Sequence, residues 1–266
     1  MQLSASQKLT PRLEWRQETG STNLDLIQLM GAENPPHFTV FATANQVAGR
    51  GRAGRVWQAP KDSALAISVL LKPAVGAVPN LGVLGWLPLL AGLAMSQTVA
   101  GFLPDSKVGV KWPNDVLVSE NKISGILTEM TTSGSGVAVV VGAGINVSQL
   151  QNELPIANAT SLTLSGASLP EDLALRLDSV LSSYLGNLQH WYQRFSQAGF
   201  DAEASGLRQA VISNCVTLGR EVRAILPGEA ELLGRAVSID DSGRLIFDVS
   251  GSETKVSAGD IVHLRH

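Results

Sequence analysis

Apolar and polar positions change rhythm several times along this chain, and the changes predict alternating helices and strands. Residues 19–30 read as a capped helix start running into Leu24, Ile27 and Leu29. Residues 38–42 and 65–71 are short apolar runs that predict strands, the second ended by Pro73. Residues 81–103 are almost long enough and apolar enough to suggest a membrane span. Pro88, the glycines and the polar run Ser96, Gln97, Thr98 interrupt that stretch, and no basic cluster flanks it. It therefore predicts a buried core helix starting near Pro88, with the proline tolerated in the first turn. Strands follow at 108–112, 116–118, 123–130 and 137–141, so closely spaced that antiparallel hairpins are favoured over repeated βαβ winding. Ser168 and Glu171 have capping-box spacing, with Pro170 in the first turn of a helix whose apolar stripe is Leu173, Leu177, Val180, Leu181, Leu188, Trp191 and Phe195.

From Cys215 the texture changes to short strands, predicted at 216–218, 221–225, 232–239, 245–249 and 254–256, with a strong hairpin turn at Asp240-Asp241-Ser242-Gly243. The pattern predicts an α/β (α+β) chain. A mixed sheet with helices spans residues 1–213, and a small β-barrel spans 214–266.

Composition narrows the function. With 266 residues, 44% of them hydrophobic and 16% charged, the chain can bury a substantial core. A net charge of -3 argues against general nucleic-acid binding, which needs a basic face. Cys215 is the single cysteine, so no internal disulfide forms, and a buried inert thiol is expected. His37, His190, His263 and His266 lack metal-ligand spacing, and no protein metal site is expected. The first twenty residues carry no apolar signal segment, and a cytoplasmic location is expected.

The segment Gly49-Arg50-Gly51-Arg52-Ala53-Gly54 literally matches the G-x-G-x-x-G dinucleotide fingerprint. The residues after it, Arg55-Val56-Trp57-Gln58-Ala59-Pro60, do not read as a helix, and no acid stands about twenty positions on, near residues 70–73. The dinucleotide reading is rejected on both grounds, and no Walker A loop occurs. What remains is three arginines, Arg50, Arg52 and Arg55, on a glycine-rich backbone that can approach phosphate or carboxylate closely. Taken alone, the segment is as consistent with a solvated basic loop.

Other segments accompany it: Ser21-Thr22-Asn23, Gln46, Lys111-Trp112-Pro113-Asn114-Asp115, Lys122-Ile123-Ser124-Gly125-Ile126-Leu127 and Gly142-Ala143-Gly144-Ile145-Asn146. In this order they resemble the catalytic domain of the biotin protein ligases, the biotin-[acetyl-CoA-carboxylase] ligase family, from about Glu14 to the C-terminus. The resemblance implies a class II synthetase-like biotin/lipoate ligase domain followed by an SH3-like barrel. It implies ATP, Mg2+ and biotin as small-molecule participants, with a lysine of a biotin carboxyl carrier protein as acceptor. Ser21, Thr22, Asn23, Gln46, Arg50, Gly51, Arg52 and Lys122 match biotin-contacting positions of the family. Arg50, Arg52, Arg55, Trp57, Lys111, Asn114 and Asn146 fall to the ATP and adenylate side, and Lys122, Arg52 and Asp115 to the chemistry.

The family reaction first joins the biotin carboxylate to the α-phosphate of MgATP, giving biotinoyl-5'-AMP and pyrophosphate. The acceptor lysine then displaces AMP. Lys122 is expected to bridge carboxylate and phosphate, and Asp115 to orient the incoming amine or accept its proton. Spacing alone also allows Asp115 a salt bridge, Lys111 a structural pairing, and residues 21–23 simple helix capping. About twenty residues precede Ser21, too few for a winged-helix domain, so a single-function enzyme that binds neither DNA nor membrane is expected, as monomer or homodimer. The alternatives are a lipoate or octanoate ligase or transferase, and a non-catalytic biotin-binding protein.

Overall fold

The structure is a computed structural model that describes residues 1–74, 78, 81–133, 136–225, 231–257 and 260–264. The chain opens with α1 (Ser4–Gln7), β1 (Leu13–Arg16), α2 (Thr22–Ala32) and β2 (Val40–Thr43). A small hairpin, β3 (Gly49–Arg50) and β4 (Val56–Trp57), precedes β5 (Ala64–Leu71) and α3 (Trp86–Phe102). Then come β6 (Val108–Lys111), β7 (Asp115–Val118), β8 (Asn121–Ser133) and β9 (Gly136–Asn146), followed by α4 (Leu173–Gln197) and α5 (Leu207–Asn214). The last elements are β10 (Glu221–Ile225), β11 (Glu231–Ile239), β12 (Leu245–Val249), β13 (Ser252–Val256) and β14 (Asp260–His263).

Seven strands form a mixed sheet in the order β1-β2-β5-β9-β8-β7-β6, with only β1 and β2 parallel. Its two faces follow from the strand period of two. On β5 and β9, Leu65, Ile67, Val69, Leu71, Val139, Val141, Ala143 and Ile145 join the main core with α3 and α4. The opposite face is covered at one end only, where Leu26 of α2 packs on Phe41, Leu70, Ala138 and Val140. Beyond that cover, the same face continues as Ala66, Ser68, Gly142 and Gly144, side chains too small to fill the space above them. A trough follows from the sequence of the two strands.

α3 is buried on nearly all sides, and Pro88 stands in its first turn, where a missing amide hydrogen costs nothing. Among the described residues no helix is long and apolar enough to cross a membrane. Two local expectations are corrected. The Ser168/Glu171 box does not start α4; Asp172 does, its carboxylate accepting the Leu175 amide hydrogen at 2.8 Å. Arg176 holds the Pro170 and Glu171 carbonyls in a turn ahead of the helix, which takes both residues out of it. Residues 216–218 are a turn rather than a strand, because Thr217 turns its hydroxyl to the Trp112 amide (3.0 Å) and Gly219 takes a left-handed φ of 80°. Cys215 is free and buried, and burial pushes its thiol pKa up.

The C-terminal strands form a separate five-stranded antiparallel sheet, β13-β12-β11-β10-β14, where the sequence predicts the small barrel. Its β11–β12 hairpin turns at Asp240, whose carboxylate accepts from the Ser242 and Arg244 amides, with Gly243 at φ 79°. That turn docks on the larger unit: the indole N–H of Trp86 donates to the Asp241 carbonyl at 2.8 Å, and that of Trp112 to Gly243 at 3.0 Å. A second anchor runs through Arg220, which pairs with Glu120 at 2.8 Å and lies 3.2 Å from Nδ1 of His263.

Burial, then the charges of Lys111 and Arg220, push the His263 pKa down to about 4 against the opposing pull of Glu120. In an unfolded chain the ring titrates near 6.5, so between those values the unfolded state holds the extra proton. The stability that neutral His263 represents is present above about pH 6.5 and is lost as pH falls toward 4. Urea unfolding should show a loss of about 2 kcal/mol over that window, after allowance for solvent screening. His263→Gln should flatten it, and parallel pH profiles for the two proteins would remove His263 from the effect.

Candidate active site

The trough opens into a cavity of about 470 Å³. Its floor is made of cross-strand rows: Ala66, Gly144, Gly125 and Asp115 stand in register across β5, β9, β8 and β7, and Gly142 and Leu127 stand in the next row, which the fully buried Ser68 continues on β5. A β-carbon on Gly144 would come within 2.6 Å of the Trp57 ring, and one on Gly142 would overlap the Asn23 amide. The two glycines therefore admit side chains from outside the sheet to the level of its backbone.

The roof is the β3/β4 hairpin. It pairs only Gly49 with Trp57 and Arg50 with Val56, closed by the Gly51 amide donating to Arg55 at 2.7 Å. Arg52 reaches across to the turn between β6 and β7, where its guanidinium donates to Oδ1 of Asn114 at 2.9 Å. The Asn114 side-chain amide in turn donates to the Ile126 carbonyl at 2.9 Å, so the roof is tied to β8 through one side chain, and the Asn114 backbone carbonyl accepts the Ile126 amide hydrogen at 2.8 Å. The turn itself contains a cis Trp112-Pro113 bond.

Asp115 begins β7 and points at Lys122 of β8, with Nζ 2.6 Å from Oδ1. A bulge aims the lysine: Val116 pairs with Ser124 while Leu117 pairs with Lys122, leaving Ile123 without a partner. The Lys122 backbone is fixed from its other side by Asn158 and Thr160. Gly125 lies beneath the pair, where an added β-carbon would stand 3.4 Å from Nζ.

A hydrogen-bonded wall closes the far end. The Gln46 side-chain oxygen accepts from the Thr22 amide (3.0 Å) and hydroxyl (3.2 Å), and the Ser68 hydroxyl stands 2.8 Å from Thr22 Oγ1 and 2.5 Å from Asn23 Oδ1. Asn23 donates onward to Glu129 at 2.8 Å. Ser21 is the N-cap of α2 by position, yet its side chain makes no capping hydrogen bond. Helix capping therefore does not account for Ser21, and Thr22 and Asn23 spend their polar groups on the wall. At the opposite end Asn146 bonds the Thr160 carbonyl (2.9 Å) and Gln149 (3.0 Å).

All the residues singled out from the sequence line this one cavity: Ser21, Thr22, Asn23, Gln46, Arg50, Gly51, Arg52, Arg55, Trp57, Lys111, Asn114, Asp115, Lys122 and Asn146. Five are cationic and one acidic, so the lining favours an anion. Sequence reasoning missed Ser68, Glu129 and the contributions of Ile225, Ile261 and Val262 from the C-terminal sheet. Ser68 had a signal, as the one hydroxyl in an otherwise apolar strand; the C-terminal residues had none. Among the described residues no group of three or more His, Cys, Asp or Glu could hold a metal ion.

Residues 15–146 match the model of the biotin/lipoate A/B protein ligase family, and residues 217–264 match that of the biotin protein ligase C-terminal domain. The chain is 38% identical over 260 residues to the biotin-[acetyl-CoA-carboxylase] ligase of Mycobacterium tuberculosis, covering 94% of this chain and 90% of that protein. This chain belongs to the biotin protein ligase family. The first family model spans biotin and lipoate enzymes alike; the C-terminal match and the M. tuberculosis relative assign this ligase to the biotin branch. The bifunctional ligase/repressor BirA of Bacillus subtilis is 30% identical over 86% of this chain and 67% of its own length. The biotin protein ligase of Aquifex aeolicus, solved in complex with biotin and ATP, superposes with a TM-score of 0.72 at 28% identity, over 96% of this chain and all of that one. The mixed sheet with helices and the C-terminal β unit expected from the sequence are thus those of this family.

Proposed function

We propose that the cavity activates biotin as its adenylate and presents it to a lysine of a biotin carboxyl carrier protein. The observation that carries this reading is the convergence of Arg52, from the hairpin, and Lys122, from β8, on one cavity. Step one brings the biotin carboxylate to the α-phosphate of MgATP. Two unit charges 4 Å apart repel by about 4 kcal/mol at an effective dielectric near 20. Lys122 lies between them, with Arg50, Arg52 and Arg55 neutralising the phosphates and Lys111 at the rim. The carboxylate oxygen bonds to the α-phosphorus as the bond to pyrophosphate breaks. The wall of Ser21, Thr22, Asn23 and Gln46 supplies donors and acceptors for the ureido group, and Asn146 stands toward the adenine.

The Lys122–Asp115 pair links the two steps. When phosphate oxygens take over Lys122, Asp115 is released from its partner and becomes the base facing the incoming amine. The amine nitrogen then bonds to the biotin carbonyl carbon, the bond to AMP breaks, and the amine proton goes to Asp115 or to water. Trp57 and the hairpin keep the adenylate from hydrolysis meanwhile.

Incubation of the purified protein with MgATP and biotin, followed by mass analysis of the bound small molecule, should yield biotinoyl-5'-AMP, with little product from lipoate or octanoate. No biotin adduct, or equal adducts from all three acids, would overturn the reading. Asp115→Asn should leave pyrophosphate release within a few-fold and slow transfer to carrier protein by about 100-fold. Unchanged transfer would take Asp115 out of the second step.

A further inference from the structure

The β3/β4 hairpin pairs two residues on each side, and a two-stranded hairpin of that size is not stable by itself. Its position over the cavity must come from contacts with the body of the protein. Trp57 lies on Gly144, and Arg52 bonds Asn114. A further contact is at the wall end, where Arg50 Nη1 stands 3.3 Å from Oε1 of Glu129. Glu129 does not line the cavity. Its carboxylate sits behind the wall on β8, with its other oxygen accepting from Asn23, itself 5% exposed and held by the Leu127 carbonyl and Ser68.

We infer that Glu129 is a positioning residue: one carboxylate joins the start of α2 to the hairpin, so that occupancy of the wall and closure of the roof reinforce each other. A ligand that fixes Asn23 fixes Oε2, which steadies Oε1 toward Arg50. By reciprocity, a closed hairpin holds Asn23 in the orientation that accepts the ligand. The inference rests on the biotin reading only for the identity of the ligand; the joint itself exists without one. The half-exposed ion pair sets a modest scale for the effect, because such pairs are screened by solvent and salt.

Glu129→Gln keeps the acceptor for Asn23 and the shape while removing the charge; Glu129→Ala removes both. Trypsin cleavage at Arg50, Arg52 and Arg55 in the ligand-free protein reports the open population of the hairpin. Both variants should be cut about fivefold faster than wild type, and 0.5 M NaCl should bring wild type toward the variants. With biotin, KM should rise about fivefold with kcat within about twofold, the split of a residue that acts through binding geometry. Glu129→Asp, with the charge retained, should recover part of the protection. Wild-type cleavage rates for the Gln variant with an unchanged biotin KM would overturn the inference. If wild type forms no biotinoyl adenylate, the proposed function fails, whereas the ligand-free cleavage ratio still decides the role of Glu129.

Discussion

Lys122→Met should cut biotin-dependent pyrophosphate release by about 100- to 1000-fold while leaving biotin affinity within about fivefold. Methionine keeps most of the volume of the lysine and removes the charge. The charge matters most where two anions approach, because substrate alone gives Lys122 one partner and the transition state gives it two. Asp115 remains behind with its side chain 18% exposed and without the ammonium 2.6 Å away, so the variant also loses the geometry of the acceptor base. Calorimetric titration with biotin and a pyrophosphate assay separate the two quantities. Equal losses in both would mean that Lys122 serves binding rather than chemistry.

Much of this site was legible because its chemistry rests on short local patterns. Lys111 to Asp115 and Lys122 to Leu127 are two consecutive strand ends joined by a hairpin, so their proximity follows from antiparallel pairing. The glycines of β9 read as a floor once the strand period is applied, since Val141, Ala143 and Ile145 face the core while Gly142 and Gly144 face away. The two-residue strands of the roof were too short for periodicity to detect, and β1, β14 and α5 were missed for related reasons. β1 alternates poorly, with Glu14 and Arg16 among its four residues, and α5 carries only Leu207 and Val211 on its buried side. The role of Glu129 was invisible in one dimension: its two partners lie 106 positions away at Asn23 and, through Arg50, on a loop whose docking depends on the folded trough. The Ser168/Glu171 box misled because Asp172 competes as a cap and Arg176 holds the preceding carbonyls, an arrangement that only the folded turn displays.

Gly144→Val should be the most damaging change that adds no charge and removes no polar group. A β-carbon at this position falls 2.6 Å from Cε2 of Trp57, closer than packed carbons approach, and valine adds two methyl groups beyond it. The sheet cannot yield, because Gly144 is paired on both sides, with Ala66 of β5 and Gly125 of β8. Trp57 must therefore leave, and it belongs to the same two-pair hairpin as Arg50, with Arg52 in the connecting turn. One substitution in the floor thus opens the roof and withdraws two phosphate-facing cations. The expected result is a fall of at least about 100-fold in kcat/KM for biotin activation, rapid loss of any adenylate formed, and a stability change of only about 1–2 kcal/mol, because the disturbed contacts face the cavity rather than the main core. Trp57→Ala in the same chain should restore part of the activity by returning the space, although it lacks the apolar cover itself. A double-mutant cycle on kcat/KM that shows strict additivity would separate the two residues and refute the steric coupling.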